Sequence, residues 1–464
     1  MTSRSHQSQP RSVKPETRPT IIAETLLLAY SALLTFVIVL LGLRSVISML
    51  RHPRHLEALG ERFGRVRPDL AAAVTRRRVV WIHAVSVGEV LAASRLVKDL
   101  SKAMGEGSVV IVSTITNTGR ALAQQKFGPE HVFYAPIDFE FSMRAYLNAL
   151  QPAAVVLIES GVWPRMMHEC DKRGIPVIVA NARVSDKTLK RAIQMRGLWS
   201  RWLRRATLWL AQSEEDAHKL TKMGVPKELV QVSGNLKYDV CSPSDSPLSR
   251  LIRNAAGIRP IIVAGSTAEA NGVFEESIIL DAWQSAVAAK LDPLLVLAPR
   301  HPERFKVVEA LVDKYSYMRA SDCNSIPQGN ERLDIILLDT IGDLSCVYSV
   351  ADVAFVGGSL VDCGGHNPLE PAQFGVPILM GPSFENFRDI VREISLADSI
   401  QIVDNQDELA NGFLAMLTNQ NVAQAMGRRA RQALEDRQGA TERTVDVILG
   451  LMKPSVPEGH GFAS

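Results

Sequence analysis

The sequence predicts an α/β protein: two doubly wound, Rossmann-like halves behind an N-terminal membrane-anchor helix. Three observations carry this. Apolar β-branched runs alternate with helical patterns in two separate series, a Pro/Ser-rich stretch divides the series, and a nearly uncharged run near the N-terminus exceeds what a core helix needs.

A chain of 464 residues is longer than one hydrophobic core usually supports, so two domains are expected. At 46% hydrophobic and 22% charged, the composition is that of a globular protein. A net charge of +3, with no aromatic-rich platform among 14 Phe and 7 Tyr, argues against a nucleic-acid partner. Cys170, Cys241, Cys323, Cys346 and Cys363 lie far apart with no CxxC pair, as in a reducing compartment. No Asp-x-Asp, HExxH or Walker A run is present, so neither a metal nor another cofactor is expected.

In chain order, residues 1–20 form a polar tail expected to be disordered. The run 21–43, IIAETLLLAYSALLTFVIVLLGL, carries Glu24 as its only charge and matches a bilayer's thickness of roughly 30 Å. A cleaved signal peptide fits less well, because the run is long and no small-x-small site follows it. Basic residues flank it on both sides, and the slight excess after it (Arg44, Arg51, Arg54, Arg62, Arg65) favours a main body on the cytoplasmic face, with a helix lying partly within one leaflet as the alternative topology.

Residues 44–240 then carry VVWIHAV, SVVIVSTI, AAVVLIES, IPVIVANA and ATLWLAQS, separated by helical patterns such as EVLAASRLVKDLSKAM. VCSPSDSPLS ends this half, with 241–249 as the linker. The pattern restarts over 250–452 with PIIVAGST, PLLVLAPR, DIILLDT, VAFVGGS and VPILMGP, closes on a helix from about Val422 to Met452, and leaves 453–464 as a tail. Two such domains facing each other make a cleft.

Two stretches carry chemistry. In HAVSVGEV, Ser86 to Glu89 have the form of a capping box, yet Glu89 follows a strand-like run, where open α/β sheets place reactive groups. It is therefore either a cap or a catalytic base. In the second half, GGSLVDCGGHNPLEPAQFG puts glycines at a strand end and Pro368 at a first helical position, and such a helix N-terminus with its glycine backbone can hold a phosphate. The plain alternative is a cap over Asn367 to Glu370. GST at 265–267, PRH at 299–301, TIGD at 340–343 and GPSFENF at 381–387 also follow strands and so gather along one sheet edge. Arg300 suits a phosphate, with an ordinary surface Arg as the alternative. Glu370 suits ribose hydroxyls.

HAVSVGEV, NARVS, AQSEEDA, SGNLKYD, APRHPERF and GGSLVDCGGHNPLEPA, in this order behind ERFGR, resemble the 3-deoxy-D-manno-octulosonic acid (Kdo) transferases of lipopolysaccharide synthesis over roughly residues 20–450. The resemblance implies a GT-B architecture and inverting transfer of Kdo from CMP-Kdo to a lipid A precursor, lipid IVA, at the bacterial inner membrane without a metal. By position it implies Glu89 as general base, with Ser86, Gly88 and Arg183 on the acceptor side. Lys237 and Glu159 would support the transition state, Lys237 having a surface lysine as its alternative. Ser266, Thr267, Pro299, Arg300, Ile341, Gly342, Asp343, Asn367, Pro368, Leu369 and Glu370 would bind CMP.

The chain departs from the family pattern in three places. ETExWP becomes ESGVWP with Gly161, STHEGE becomes Ser266-Thr267-Ala268-Glu269-Ala270-Asn271, and GPHTENF becomes GPSFENF with Ser383 and Phe384. These keep two other readings open: a related membrane glycosyltransferase with another donor or lipid, and a catalytically silent binding partner. Finally, 187–210 interleaves seven Lys/Arg with Trp199, Trp202 and Trp209, which suits an anionic membrane surface. The alternative is a solvated basic face with the tryptophans in the core.

Overall fold

The computed structural model describes residues 25–36, 54–159, 161–239, 243–325 and 332–452. The chain divides into two compact units, one comprising residues up to Gly234 together with those from Thr441 onward, the other Asn235–Ala440.

The first unit is built on β1 (Arg78–His83), β2 (Ser108–Thr114), β3 (Val132–Tyr134), β4 (Ala154–Ile158), β5 (Val177–Ala182), β6 (Leu208–Ala211) and β7 (Val230–Val232). They form one sheet in the order β3-β2-β1-β4-β5-β6-β7, and every neighbouring pair is parallel. Trp81, Phe133 and Tyr146 anchor its core, with Phe133 stacked on Tyr146 at 5.0 Å between centroids.

The second unit repeats the plan with β8 (Ile261–Thr267), β9 (Glu269–Ala270), β10 (Val273–Phe274), β11 (Leu294–Pro299), β12 (Tyr317–Arg319), β13 (Ile335–Leu337), β14 (Val353–Val356), β15 (Ile378–Met380) and β16 (Ile400–Ile402). Its parallel sheet runs β12-β13-β11-β8-β14-β15-β16, and β9 and β10 make a separate antiparallel hairpin. Ile262 and Ala264 face one apolar layer and Ile261 and Val263 the other, so both sheet faces are buried. That is why these strands read as continuous apolar runs.

Two elements differ from expectation, and a third is described only in part. The anchor expected at 21–43 is described only over 25–36, and the rest of that run lies outside the described residues. Among the described residues no helix is long and apolar enough to cross a membrane. Within the described part, Leu27 is buried and Arg165 Nη2 donates to Ser31 Oγ at 3.4 Å.

The Pro/Ser-rich linker is partly helical: Ser246 and Ser249 form a reciprocal capping box and Pro247 opens the helix Pro247–Ala256. Proline's missing N–H costs nothing at that position. The long C-terminal helix is two helices, Gln420–Glu435 and Ala440–Met452, separated where Gly439 takes φ 91° and donates its amide to Asp239 Oδ1 at 2.7 Å.

Candidate active site

Because the first sheet is parallel, the residues following β1, β2, β4 and β5 emerge at the same edge. Ser86 caps the helix Val87–Met104 by accepting the Glu89 amide at 3.4 Å. The Glu89 carboxylate turns back and accepts the Val85 N–H at Oε2, 2.6 Å away, while Oε1 lies 3.5 Å from the Ser86 hydroxyl. The box therefore forms, with the reach extended one residue from Ser86 to Val85. Glu89 is half-buried, and Gly88 beside it is exposed, with only Ser86 Oγ near the space a side chain would take.

The Val85 carbonyl accepts from Thr114 Oγ1 at 3.1 Å, Ile115 N at 3.3 Å and Thr116 N at 3.4 Å. Arg62 holds the Ile115 carbonyl at 2.5 Å, and Arg62 and Arg120 both lie over the Tyr134 ring, 4.7 and 4.1 Å from its centroid. Glu61 is buried and accepts from Arg120 and from the Tyr134 amide. ERFGR thus supports the loop that carries Glu89.

Beneath that loop, Trp81 Nε1 donates to Ser113 Oγ at 2.7 Å, and Ser113 Oγ lies 2.8 Å from His83 Nδ1. Complete burial pushes the His83 imidazole down to about 4, so it is neutral at physiological pH. Glu159 follows β4 in a left-handed conformation (φ 63°), with its amide donating to Ala180 O at 2.9 Å. Such a conformation is uncommon for a residue with a Cβ. Arg183 is exposed just beyond β5.

In the second unit, the segments following β8, β11, β13, β14 and β15 share one sheet edge for the same reason. Arg300 is exposed there, its amide donating to Thr267 O at 3.0 Å, and Pro299 ends β11 buried. Ile341 is 69% exposed, which is uncommon for an isoleucine. Gly342 takes φ 98° and Asp343 is half-buried beside it. Asn367 Oδ1 accepts the Leu369 amide at 3.1 Å, and its Nδ2 lies 3.5 Å from Glu370 Oε1. His366 is held neutral, down to about 4, by burial and then by the nearby Arg300 and His301.

Not every expected donor residue presents its side chain. Thr267 is fully buried and its hydroxyl donates to Glu276 at 2.5 Å, so it braces the loop from inside. Leu369 is a core residue. Pro368 precedes the helix Leu369–Ala372 and does not occupy its first turn; with four residues that helix has little dipole to offer. Ser266 remains half-buried at φ 57°. Lys237 sits in the 3₁₀ turn Leu236–Tyr238, its amide bonded to Asn235 Oδ1 at 3.0 Å, and belongs to the second unit. Among the described residues, no group of three or more His, Cys, Asp or Glu is placed to hold a metal ion.

The family model described as 3-deoxy-D-manno-octulosonic-acid transferase (kdotransferase) matches residues 57–240. The 3-deoxy-D-manno-octulosonic acid transferase of Haemophilus influenzae is 34% identical over 429 residues, covering 90% of this chain and 95% of that protein. The chain belongs to the Kdo transferase family. The transferase of Bordetella pertussis is 33% identical over 401 residues, covering 83% of this chain and 90% of its own. The UDP-GlcNAc 2-epimerase of Neisseria meningitidis, solved with UDP-GlcNAc, superposes with a TM-score of 0.52 at 13% identity, covering 80% of this chain and 100% of that one. That likeness supports a GT-B-like α/β fold with two parallel sheets, and this transferase is a glycosyltransferase.

The transferase's departures from the family pattern have structural settings. At Gly161 an added Cβ would lie 2.4 Å from Trp163 Nε1, so the indole fills the space a side chain there would need. Ser383 accepts the Gly364 amide at 2.9 Å and lies 3.1 Å from Glu385 Oε2, tying the segments that follow β14 and β15 together. Ala268 is buried and donates its amide to Glu275. Sequence reasoning missed Glu275, Glu276 and Arg304; the only signal was a pair of acids opening an apolar helix.

The basic stretch also resolves. Trp202 and Trp209 are buried and Trp199 packs on the same core, so the aromatic half of the membrane-surface expectation does not hold. Lys187, Lys190, Arg191, Arg196, Arg201 and Arg204 remain exposed, with Ile193 and Met195 exposed among them. Tryptophan's apolar area outweighs its single polar N–H, which Trp209 satisfies internally on Leu203 O at 3.1 Å.

Proposed function

We propose that this Kdo transferase moves Kdo from CMP-Kdo to a lipid A precursor, lipid IVA, in lipopolysaccharide synthesis, with inversion at the anomeric carbon and Glu89 as general base. The observation that carries this reading is the Glu89 carboxylate, held by the Val85 amide at a parallel-sheet edge and still half-exposed, in a chain whose relatives are named Kdo transferases. A carboxylate there can take the proton of the acceptor hydroxyl as that oxygen attacks.

The acceptor oxygen attacks the anomeric carbon, its proton passes to Glu89, and the bond to the CMP phosphate breaks with both electrons leaving on the phosphate oxygen. Arg300, with backbone donors of the glycine loops, balances the charge that develops on departing CMP, and Asn367 and Glu370 take its ribose. Lys237 and Glu159 support the reacting centre, while Ser86, Gly88 and Arg183 face the acceptor. No step is routed through a metal. The run 21–43 anchors the body at the cytoplasmic face of the inner membrane, and the exposed lysines and arginines of 187–204 lie toward anionic lipid.

A second reading, a related glycosyltransferase with another sugar nucleotide or lipid, is favoured by the indole over Gly161. Incubating the purified chain with CMP-Kdo and lipid IVA decides between them: Kdo-bearing lipid is the expected product, and its absence with turnover of another CMP-sugar would favour the second reading.

A further inference from the structure

Glu275 and Glu276 open the helix Glu275–Ala288, and both are fully buried. Two adjacent buried carboxylates are costly unless fully hydrogen-bonded, and these are. Glu275 Oε2 accepts from Ala268 N at 3.0 Å and Gly358 N at 2.7 Å, and Oε1 from Ser359 N at 3.0 Å and Leu360 N at 2.9 Å. Glu276 receives a two-pronged guanidinium from Arg304, at 2.6 and 2.7 Å, as well as the Thr267 hydroxyl. Arg304 also donates to Thr267 O at 3.1 Å.

These contacts reach further through the loops. Ser359 Oγ accepts the Gly381 amide at 2.8 Å, Ser359 O accepts the Ser383 amide at 3.0 Å, and Gly365 N donates to Gly358 O at 2.8 Å. The segments after β8, β14 and β15 thus hang from Glu275, and the segment after β11 is tied to Thr267 through Glu276 and Arg304. Gly357 has no room for a side chain here, since a Cβ would lie 2.8 Å from Glu275 Oε2. The hairpin β9–β10 separates Ser266-Thr267-Ala268 from the two acids and returns the chain to them, with Glu275 N donating to Ala268 O at 3.1 Å.

We infer that Glu275 and Glu276 are positioning residues that set the four backbone loops of the donor site, Glu275 orienting the glycine loop and Glu276, through Arg304 and Thr267, orienting the segment that carries Arg300. Both acids are fully buried and act through the backbone they hold. The inference rests on the CMP-sugar reading of this unit.

The test compares wild type, Glu275→Gln and Thr267→Val, as full-length protein, by calorimetric titration with CMP and by kcat and KM for CMP-Kdo and lipid IVA. Glutamine keeps one acceptor oxygen and turns an N–H₂ toward backbone donors; valine removes only the hydroxyl bonded to Glu276. CMP affinity and donor KM are expected to worsen about ten-fold or more in Glu275→Gln and about three-fold in Thr267→Val, with acceptor KM unchanged. If Glu275→Gln does not fold, Thr267→Val carries the test. Unchanged donor KM and CMP affinity in the folded variants, or equal worsening for donor and acceptor, overturns the inference. Failure of wild type itself to bind CMP removes the donor reading, and this inference with it.

Discussion

The Glu89 carboxylate accepts the Val85 backbone N–H at 2.6 Å, four residues back across the turn that opens its helix. One oxygen is thereby fixed by the backbone while the side chain as a whole stays half-exposed. Capping and proton transfer ask for different things, and two substitutions separate them. Glu89→Gln retains an oxygen for Val85 but cannot take a proton, so transfer should fall about 10²- to 10⁴-fold with little change in melting temperature. Glu89→Ala should lose the same activity and also about 1 kcal/mol of stability. Full transfer by both variants, measured with CMP-Kdo and lipid IVA, sinks the base assignment.

Arg300 is exposed and contributes little to packing. Arg300→Gln should therefore leave the unfolding midpoint unchanged and raise KM for CMP-Kdo roughly ten-fold, the cost of a charge-assisted hydrogen bond to phosphate. Steady-state kinetics with unchanged donor KM would return Arg300 to the surface.

Gly161 lies under the Trp163 indole. Gly161→Ala should cost about 1–3 kcal/mol through overpacking, seen as a lower denaturant midpoint. A variant as stable as wild type would mean that the indole moves freely, and the space would then be open to the acidic side chain of the family pattern.

Burial pushes His83 down to about 4, against roughly 6.5 in an unfolded chain. Because the folded value is depressed, the unfolded chain takes up the proton first as pH falls. The stability is fully present above about 6.5 and is lost between there and about 4, at up to about 1.4 kcal/mol per pH unit. His366, also held at about 4, adds to the same window. Urea midpoints at descending pH should show this slope, and His83→Gln should flatten it; identical slopes in the two proteins would refute the assignment.

The exposed cations Lys187, Lys190, Arg191 and Arg196 belong to a face whose tryptophans are turned inward. Replacing all four by glutamine should weaken sedimentation with anionic vesicles by about 1 kcal/mol per charge, an effect that high salt abolishes in wild type. Equal vesicle binding by both proteins excludes this face from the membrane contact.

The central strands were legible because burial on both faces makes them continuous apolar runs, as in Ile261–Thr267 and Leu294–Pro299. The unread strands β3, β7, β12 and β16 are the sheet edges, each of three residues, and β9 and β10 are shorter still. So short a segment carries too little periodicity to be distinguished from loop. The same limit explains the single long helix expected near the C-terminus, where only Gly439 marks the break.

By itself, the sequence determined two parallel α/β sheets and which loops follow their strands, since hydrophobic period and turn residues act locally. It also placed Ser86 at a helix cap, because capping needs only four neighbouring residues. Tertiary structure alone decided where side chains point. It turned Thr267 inward onto Glu276, packed Trp163 over Gly161, and hung Gly358, Ser359 and Leu360 from Glu275 across more than eighty residues of chain. Those choices depend on hydrogen-bond satisfaction and space-filling among distant segments, which no local pattern encodes.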